Sequence, residues 1–347
     1  MNMMSDRHIA VAMSGGVDST AAALLALRSG YKVTGIHLKM EPDTPDDPQL
    51  AASCAALGIE LVEHECAAEF YEKVLRYSAS EYDSGRTPNP CCQCNKVLKF
   101  AELLKAADKL GIFTVWTGHY VNLECIDGIY CLKKGVDAGK DQSYFLYRLG
   151  QQELARVGFP LGGLTKEEVR GIAADAGLPC AARKDSQDAC FQIAGECCGE
   201  TLRRRCGFPV RRGNFVHNGK KVGRHEGFHR YTLGQRQGLN VALGVPAYVK
   251  AIDPVSREVV LTTDQSELMS ESFTIKEVNW QSGSMPLGKL TVRVRYRSPG
   301  VECEIETLPG NRILVHPALP QRAVTPGQAA VFFAGDILLG GGVIESV

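Results

Sequence analysis

The segment Gly85-Arg86-Thr87-Pro88-Asn89-Pro90-Cys91-Cys92-Gln93-Cys94-Asn95-Lys96 is a proline-set loop that runs into a helix expected from Asn95 to Leu110. A thiol just ahead of a helix N-terminus is expected to have a lowered pKa and to attack as thiolate, which makes Cys94 a candidate nucleophile. A second thiol, Cys190, ends the polar turn Lys184-Asp185-Ser186-Gln187-Asp188-Ala189-Cys190-Phe191, where a lone cysteine would otherwise be ordinary packing. Near the N-terminus, Ser14-Gly15-Gly16-Val17-Asp18-Ser19 joins an apolar run to an alanine- and leucine-rich one. Between a strand and a helix, its backbone N–H groups and the helix N-terminus form an anion site. The loop lacks both the lysine of G-x-x-x-x-G-K-[ST] and the G-x-G-x-x-G spacing of dinucleotide binders.

These segments need elements to hold them. His8 to Met13 reads as a strand, Thr20 to Arg28 as a helix ending at Gly30, and Lys32 to Leu38 as a second strand, parallel to the first through a right-handed crossover. The alternation continues with helices at Pro48 to Leu57, Ala67 to Tyr82 and Asn95 to Leu110, and strands at Ile59 to Glu63 and Ile112 to Thr117. The first half is therefore expected to be a doubly wound α/β domain with a parallel sheet, the loop Glu41 to Pro48 lying over its carboxyl end. After about residue 200, short alternating segments (Ala247 to Ile252, Glu258 to Leu261, Lys289 to Tyr296, Val301 to Glu306, Arg312 to Val315, Ala329 to Ala334) argue for small β-barrels. The expected division is 1–200, 201–265 and 266–347.

With 347 residues, 44% hydrophobic and 22% charged, the chain has the composition of an ordinary globular protein of two or three domains, with no run long enough to span a bilayer. A short polar start before the first strand leaves no room for a secretory signal, so the thirteen cysteines are placed in a reducing cytoplasm, where clustered thiols are catalytic or metal-binding. The net charge is zero, but Thr201 to Arg236 holds ten Lys or Arg against the single acid Glu226, a footprint suited to phosphates.

The loop Ser14 to Ser19 matches the SGGxDS loop of PP-loop ATP pyrophosphatases (adenine nucleotide alpha hydrolase-like), which split ATP between the α and β phosphates and transfer AMP. Together with Gly118-His119-Tyr120, Lys140-Asp141-Gln142-Ser143-Tyr144-Phe145-Leu146, Tyr231-Thr232-Leu233-Gly234-Gln235-Arg236 and Thr325-Pro326-Gly327-Gln328, the cysteine segments resemble the tRNA-specific 2-thiouridylase family over essentially the whole chain. The resemblance implies a PP-loop domain, a small central domain and a C-terminal β-barrel. It implies ATP contacts from Ala12, Met13, Ser14, Gly15, Gly16, Val17, Asp18, Ser19, Leu38 and Gly118, with Asp18 close to Mg²⁺ and phosphates. It makes Cys94 the nucleophile and Cys190 the persulfide carrier. Asn89, Pro90 and Cys91 would face the target base, while His119, Lys140, Asp141, Gln142, Arg295, Tyr296 and Gln328 would touch the tRNA. The implied reaction adenylates carbon two of the wobble uridine, flipped from the anticodon loop, and replaces its oxygen with sulfur. The implied sulfur source is a cysteine desulfurase or relay protein.

The sequence departs from that family in one place: many members carry an aspartate three residues before the nucleophile, where this chain has Cys91. Cys91, Cys94 and Cys190 could then hold a [4Fe-4S] cluster with an open iron, which would deliver sulfide. Alternatively, Cys91 is a substitute acid/base or resolving thiol beside a persulfide, or the thiols bind zinc with a fourth ligand. Two rival functions stand beside thiolation: a PP-loop ligase or amidotransferase, and a non-catalytic RNA-binding metalloprotein.

Overall fold

A computed structural model describes residues 7–42, 47–183 and 188–347. The expected residues Lys184, Asp185, Ser186 and Gln187 therefore lie outside the described part, as do residues 43–46 of the loop over the sheet. The core of the first half is a five-stranded sheet in the order β3-β2-β1-β4-β7, with β1 (His8–Ala12), β2 (Lys32–Lys39), β3 (Glu60–Glu65), β4 (Thr114–Trp116) and β7 (Val157–Gly158) all parallel. Between β4 and β7 the chain makes the hairpin β5 (Val121–Ile126) and β6 (Ile129–Lys134).

The period-2 geometry of β1 sends its side chains to opposite faces. Ile9 and Val11 pack with Ala22, Ala23, Ala26 and Leu50, from helices α1 (Val17–Arg28) and α2 (Pro48–Leu57). Ala10 joins Ile36, Phe70, Val74, Leu98 and Leu103 on the other face. That second face is covered by helices 67–83 and 90–109, each interrupted by one π turn, Tyr71–Arg76 and Asn95–Lys99. Pro48 opens α2 at N1, Asp47 caps it through Gln49 N at 2.9 Å, and left-handed Gly58 ends it, so this helix has its expected bounds.

The helix expected from Asn95 instead starts at Pro90. The Asn89 side chain accepts from Cys92 N at 3.2 Å and Pro90 takes the first helical position, a complete N-terminal signal inside what reads as a loop. Cys94 is consequently inside the helix rather than ahead of it.

Tyr248–Asp253, Glu258–Thr262, Gly213–His217 and Lys220–His225 form a four-stranded sheet around Phe215, Phe228, Tyr231 and Val259. A six-strand cycle then closes the C-terminal barrel. It runs from Phe273–Trp280 through Arg312–Pro317, Val301–Leu308, Leu290–Arg293, Ala329–Ala334 and Ile337–Ser346, and back to Phe273–Trp280. Closure leaves no free edge around Phe273, Val292, Val315 and Phe332. The hairpin β5–β6 pairs onto this barrel through Lys133 and Ile337, tying the first half of the chain to the last. Among the described residues, no helix is long and apolar enough to cross a membrane.

Candidate active site

The carboxyl ends of β1, β2 and β4 open onto a cavity of about 260 Å³. Seven of the ten expected nucleotide residues line it: Ala12, Met13, Ser14, Asp18, Ser19, Leu38 and Gly118. The other three shape the turn beneath it. Gly15 has φ +72°, a left-handed conformation that favours glycine. Gly16 is the N-cap of α1, its carbonyl accepting from Ser19 Oγ and Thr20 Oγ1 at 3.0 Å each, and Val17 is buried. Gly118 lies so close to the turn that a Cβ there would stand 2.7 Å from the carbonyl carbon of Asp18. The Asp18 carboxylate faces the cavity and accepts from Tyr120 Oη and Lys166 Nζ, both at 2.7 Å. A carboxylate beside a phosphate cradle suits Mg²⁺, which is held by one or two carboxylates together with substrate phosphates.

The thiols do not line this cavity, but Cys94 packs against two residues of its wall, Leu38 and Leu103. Cys94 is buried and packs in the same apolar cluster as Leu38, Leu103, Phe191 and the partly buried Ala189, the last two being the chain neighbours of Cys190. Cys190 and Cys91 are exposed. The charges of Cys190 and Cys91 both act on Cys94, so residues almost a hundred positions apart in sequence share one electrostatic environment. Burial pushes Cys94 up to about 11, against the partial relief of the Lys99 ammonium. This corrects the expected lowered pKa: the thiol is inside the helix and shielded from water, and desolvation outweighs the helix dipole. Surrounding protein likewise raises Cys91 and Cys190, with Lys99 opposing in both cases. Among the described residues, no three His, Cys, Asp or Glu side chains converge closely enough to hold a metal ion. Cys91, Cys94 and Cys190 thus do not stand as a ready ligand set for a cluster or for zinc.

The residues expected to meet tRNA divide into two groups. Asn89, Pro90 and Cys91 form the first turn of the helix that carries Cys94, while His119 and Gln142 line the nucleotide cavity. His119 stacks on Phe100 at 5.7 Å, its Nδ1 lies 2.7 Å from Thr117 Oγ1, and burial lowers its pKa to about 3, so the ring is neutral. Gln142 Oε1 accepts from Tyr120 N at 3.0 Å, and Lys140 beside it is half-buried. The remaining residues brace the fold. Buried Asp141 accepts from the backbone of Gly135 and Ser143, both at 3.1 Å. Arg295 donates to Leu233 O, Ala323 O and Thr325 Oγ1, and Tyr296 packs against Phe145 at 4.5 Å. Gln328 Nε2 donates to Thr87 O at 2.8 Å and Pro88 O at 3.0 Å, clamping the loop that leads to Cys94.

Sequence reasoning missed Lys99 and Lys166. The Thr165-x-x-Glu168 capping box, present in the structure, signals the helix Lys166–Asp175 that brings Lys166 to Asp18. The basic segment is also less charged in space than in sequence. Arg203, Arg204, Arg205, Arg211, Arg212 and Arg230 pair with Glu200, Glu196, Glu41, Asp83, Glu226 and again Glu200. Among the described residues, Lys220, Lys221, Arg224 and Arg236 form no ion pair.

Comparisons with known proteins agree with this geometry. Residues 7–194 match the family described as tRNA methyl transferase HUP domain, 201–263 the tRNA methyl transferase PRC-barrel domain and 270–344 the aminomethyltransferase beta-barrel domain. The chain is 42% identical to the tRNA-specific 2-thiouridylase MnmA of Syntrophotalea carbinolica over 98% of this chain and 99% of the relative. It is also 42% identical to that of Chlorobium luteolum, over 98% of this chain and 96% of the relative, and 41% identical to that of Chloroflexus aurantiacus, over 97% and 98%. With a glycine turn between β1 and α1, a cavity beside that turn and likeness along nearly its whole length, the chain belongs to the tRNA-specific 2-thiouridylase family.

Proposed function

We propose that Cys94 and Cys190 carry the sulfur step of an ATP-dependent wobble-uridine thiolation. As a member of its family the chain is a tRNA-uridine 2-sulfurtransferase. The observation that carries the mechanism is the meeting of the Cys94 and Cys190 environments beside the nucleotide cavity. A uracil carbonyl oxygen leaves poorly, so ATP first esterifies it with AMP and releases pyrophosphate, the turn amides and the N-terminus of α1 holding the phosphates. Mg²⁺, when bound beside Asp18, supplies charge neutralisation.

The two thiols divide the remaining work by exposure. Cys190 is reachable from solvent, as an acceptor loaded by a cysteine desulfurase or relay protein must be, whereas Cys94 is buried next to the cavity. Attack of the Cys94 thiolate on the inner sulfur of a Cys190 persulfide forms the Cys94–Cys190 disulfide and expels hydrosulfide. Hydrosulfide adds to carbon two and AMP departs with its bonding pair; an external thiol reductant then restores both cysteines. The cluster reading would take Cys91, Cys94 and Cys190 as ligands, but among the described residues the three are not gathered as a metal-binding group, so no step runs through iron. A reducing, cytoplasmic setting belongs to this reading, because both cysteines must return to thiols after each turnover. The division 1–200, 201–265 and 266–347 is proposed alongside, the hairpin β5–β6 being the part of the first unit that docks on the third.

Mass spectrometry of nucleosides from tRNA incubated with enzyme, ATP, Mg²⁺ and a persulfide donor tests this function. The expected product is 2-thiouridine at the wobble position. Cys94→Ser and Cys190→Ser should each lose it while keeping tRNA-dependent pyrophosphate release. An aminated rather than thiolated nucleoside, formed alike by the wild type and the double variant, would point to a ligase or amidotransferase, and absence of pyrophosphate release to an RNA-binding protein without catalysis. Stoichiometric iron in anaerobically purified active enzyme would overturn the persulfide route in favour of a cluster.

A further inference from the structure

A cavity that takes a nucleotide must balance several negative charges, yet among its described lining residues Lys99 is the only Lys or Arg. The other ionisable groups on its wall are committed elsewhere. Asp18 is bound by Lys166 and Tyr120, His119 is held neutral, and His37 bonds Met13 O through Nδ1 at 2.9 Å. The glycine turn and the N-terminus of α1 approach the phosphates from one side, and Lys99 stands on the helix that forms another wall.

The local backbone explains how one side chain also serves the thiols. In an α-helix the residue one turn after position 94 would be residue 98, a fully buried leucine. The π turn Asn95–Lys99 substitutes i to i+5 spacing, which pairs position 99 rather than 98 with position 94. The backbone amide and the ammonium of Lys99 both favour the Cys94 thiolate, and the ammonium acts on Cys190 and Cys91 as well. The charges opposing it there are the thiols themselves and Glu41, which is occupied by Arg205. π turns recur at functional sites because they re-aim a side chain at the cost of a regular hydrogen-bond ladder.

We propose that Lys99 is a shared cation, binding the nucleotide phosphate on its cavity side and facing the Cys94 and Cys190 sulfurs on the other, so that the AMP leaving group and the attacking sulfur are held about one charge. This rests on the thiouridylase reading and adds a substrate-contacting residue to it. Lys99 neutralises the phosphate as AMP leaves and favours the anionic sulfur that displaces it. No bond is made to Lys99.

Lys99→Met, Lys99→Gln and Lys99→Arg test the proposal through two readouts that need no turnover: ATP affinity by calorimetry, and the rate at which iodoacetamide labels Cys94 at pH 8, read by peptide mass spectrometry. The Met and Gln variants should bind ATP at least tenfold more weakly and label Cys94 at least fivefold more slowly, with Arg restoring both to within about threefold. Unchanged affinity or unchanged labelling in a folded Met or Gln variant overturns the shared-cation role, even if turnover falls. Failure of the wild-type enzyme to make 2-thiouridine is a separate result. It removes the function while leaving both binding readouts interpretable.

Discussion

Gly118→Ala adds one methyl group at the point where the strand-end loop crosses the nucleotide turn, and the structure fixes its cost. The new Cβ would lie 2.7 Å from Asp18 C, 2.9 Å from Asp18 O and 2.9 Å from Ser19 N. Carbon contacts settle at roughly 3.5 Å, so the turn or the loop must retreat by about 0.8 Å. The opposing atoms are backbone and belong to the first turn of α1, whose Val17, Ala21 and Ala22 are buried, so no side chain can swing aside. Overpacking of this kind costs about 1–3 kcal/mol. A displacement approaching 1 Å in a positioning element costs on the order of 10²-fold in rate. The expected outcome is a fall on the order of 10²-fold in kcat/KM for tRNA-dependent pyrophosphate release, with a lower Tm. Gly171→Ala is the control: it lies inside the helix Lys166–Asp175, and no neighbouring atom comes within 4 Å of where its added methyl would stand, so it should stabilise by about 0.5–1 kcal/mol with kcat/KM intact. A Gly118→Ala enzyme with wild-type kcat/KM would refute the argument that this close approach sets the turn.

Three further outcomes follow from the same structure. Gln328→Ala removes two hydrogen bonds to the carbonyls of Thr87 and Pro88, worth about 1 kcal/mol each. Thiolation should drop about tenfold with ATP affinity unchanged, and a matching loss of ATP affinity would show that Gln328 acts at the cavity instead. Because burial pushes Cys94 up to about 11, its alkylation rate should keep climbing above pH 9 in the nucleotide-free enzyme; a plateau below pH 9 contradicts the buried-thiol geometry. Burial works to raise the pKa of Glu200, but Arg203, His229 and Arg230 overcome it and hold the carboxylate at about 2. A depressed carboxylate stabilises above its unfolded pKa and loses that contribution as pH falls from about 4.5 towards 2. Urea unfolding should therefore show Glu200→Gln less stable by about 2–3 kcal/mol at pH 7. That gap should narrow below pH 4.5, and one that stayed constant down to pH 3 would rule out the charge as its source.

The local signals of the first half carry most of the sheet into view. The apolar runs at His8 and Lys32, the Gly-rich turn and Pro48 with Gly58 each decide their own conformation, so β1, β2, α1 and α2 fall within a few residues of their expected bounds. The helix start at Pro90 has equally local causes in Asn89 and Pro90, but the run of cysteines behind them has no apolar period to announce a helix. That local difference has a large chemical consequence, since it moves Cys94 from a helix terminus into a buried helical turn and reverses the direction of its pKa shift.

What the sequence conceals most is the division of labour between motifs that look alike. Thr232 to Gln235 and Thr325 to Gln328 are polar, glycine-bearing and loop-like, and of these residues only Gln328 carries an expected contact, with tRNA. In the fold they converge on a single task. Thr87 Oγ1 lies 3.1 Å from Thr232 Oγ1, and Thr87 N donates to Pro326 O at 2.9 Å. Gly327 at φ +93° leaves no space for a Cβ, which would stand 2.9 Å from Thr87 C, and Gln328 bonds the next two carbonyls. The segment that leads to Cys94 is thus gripped by the central and C-terminal parts of the chain at once. Such contacts span about 145 to 240 residues of sequence and leave no periodicity to detect. They also tie the β-rich half, through Thr87 and Pro88, to the helix that carries both Cys94 and Lys99.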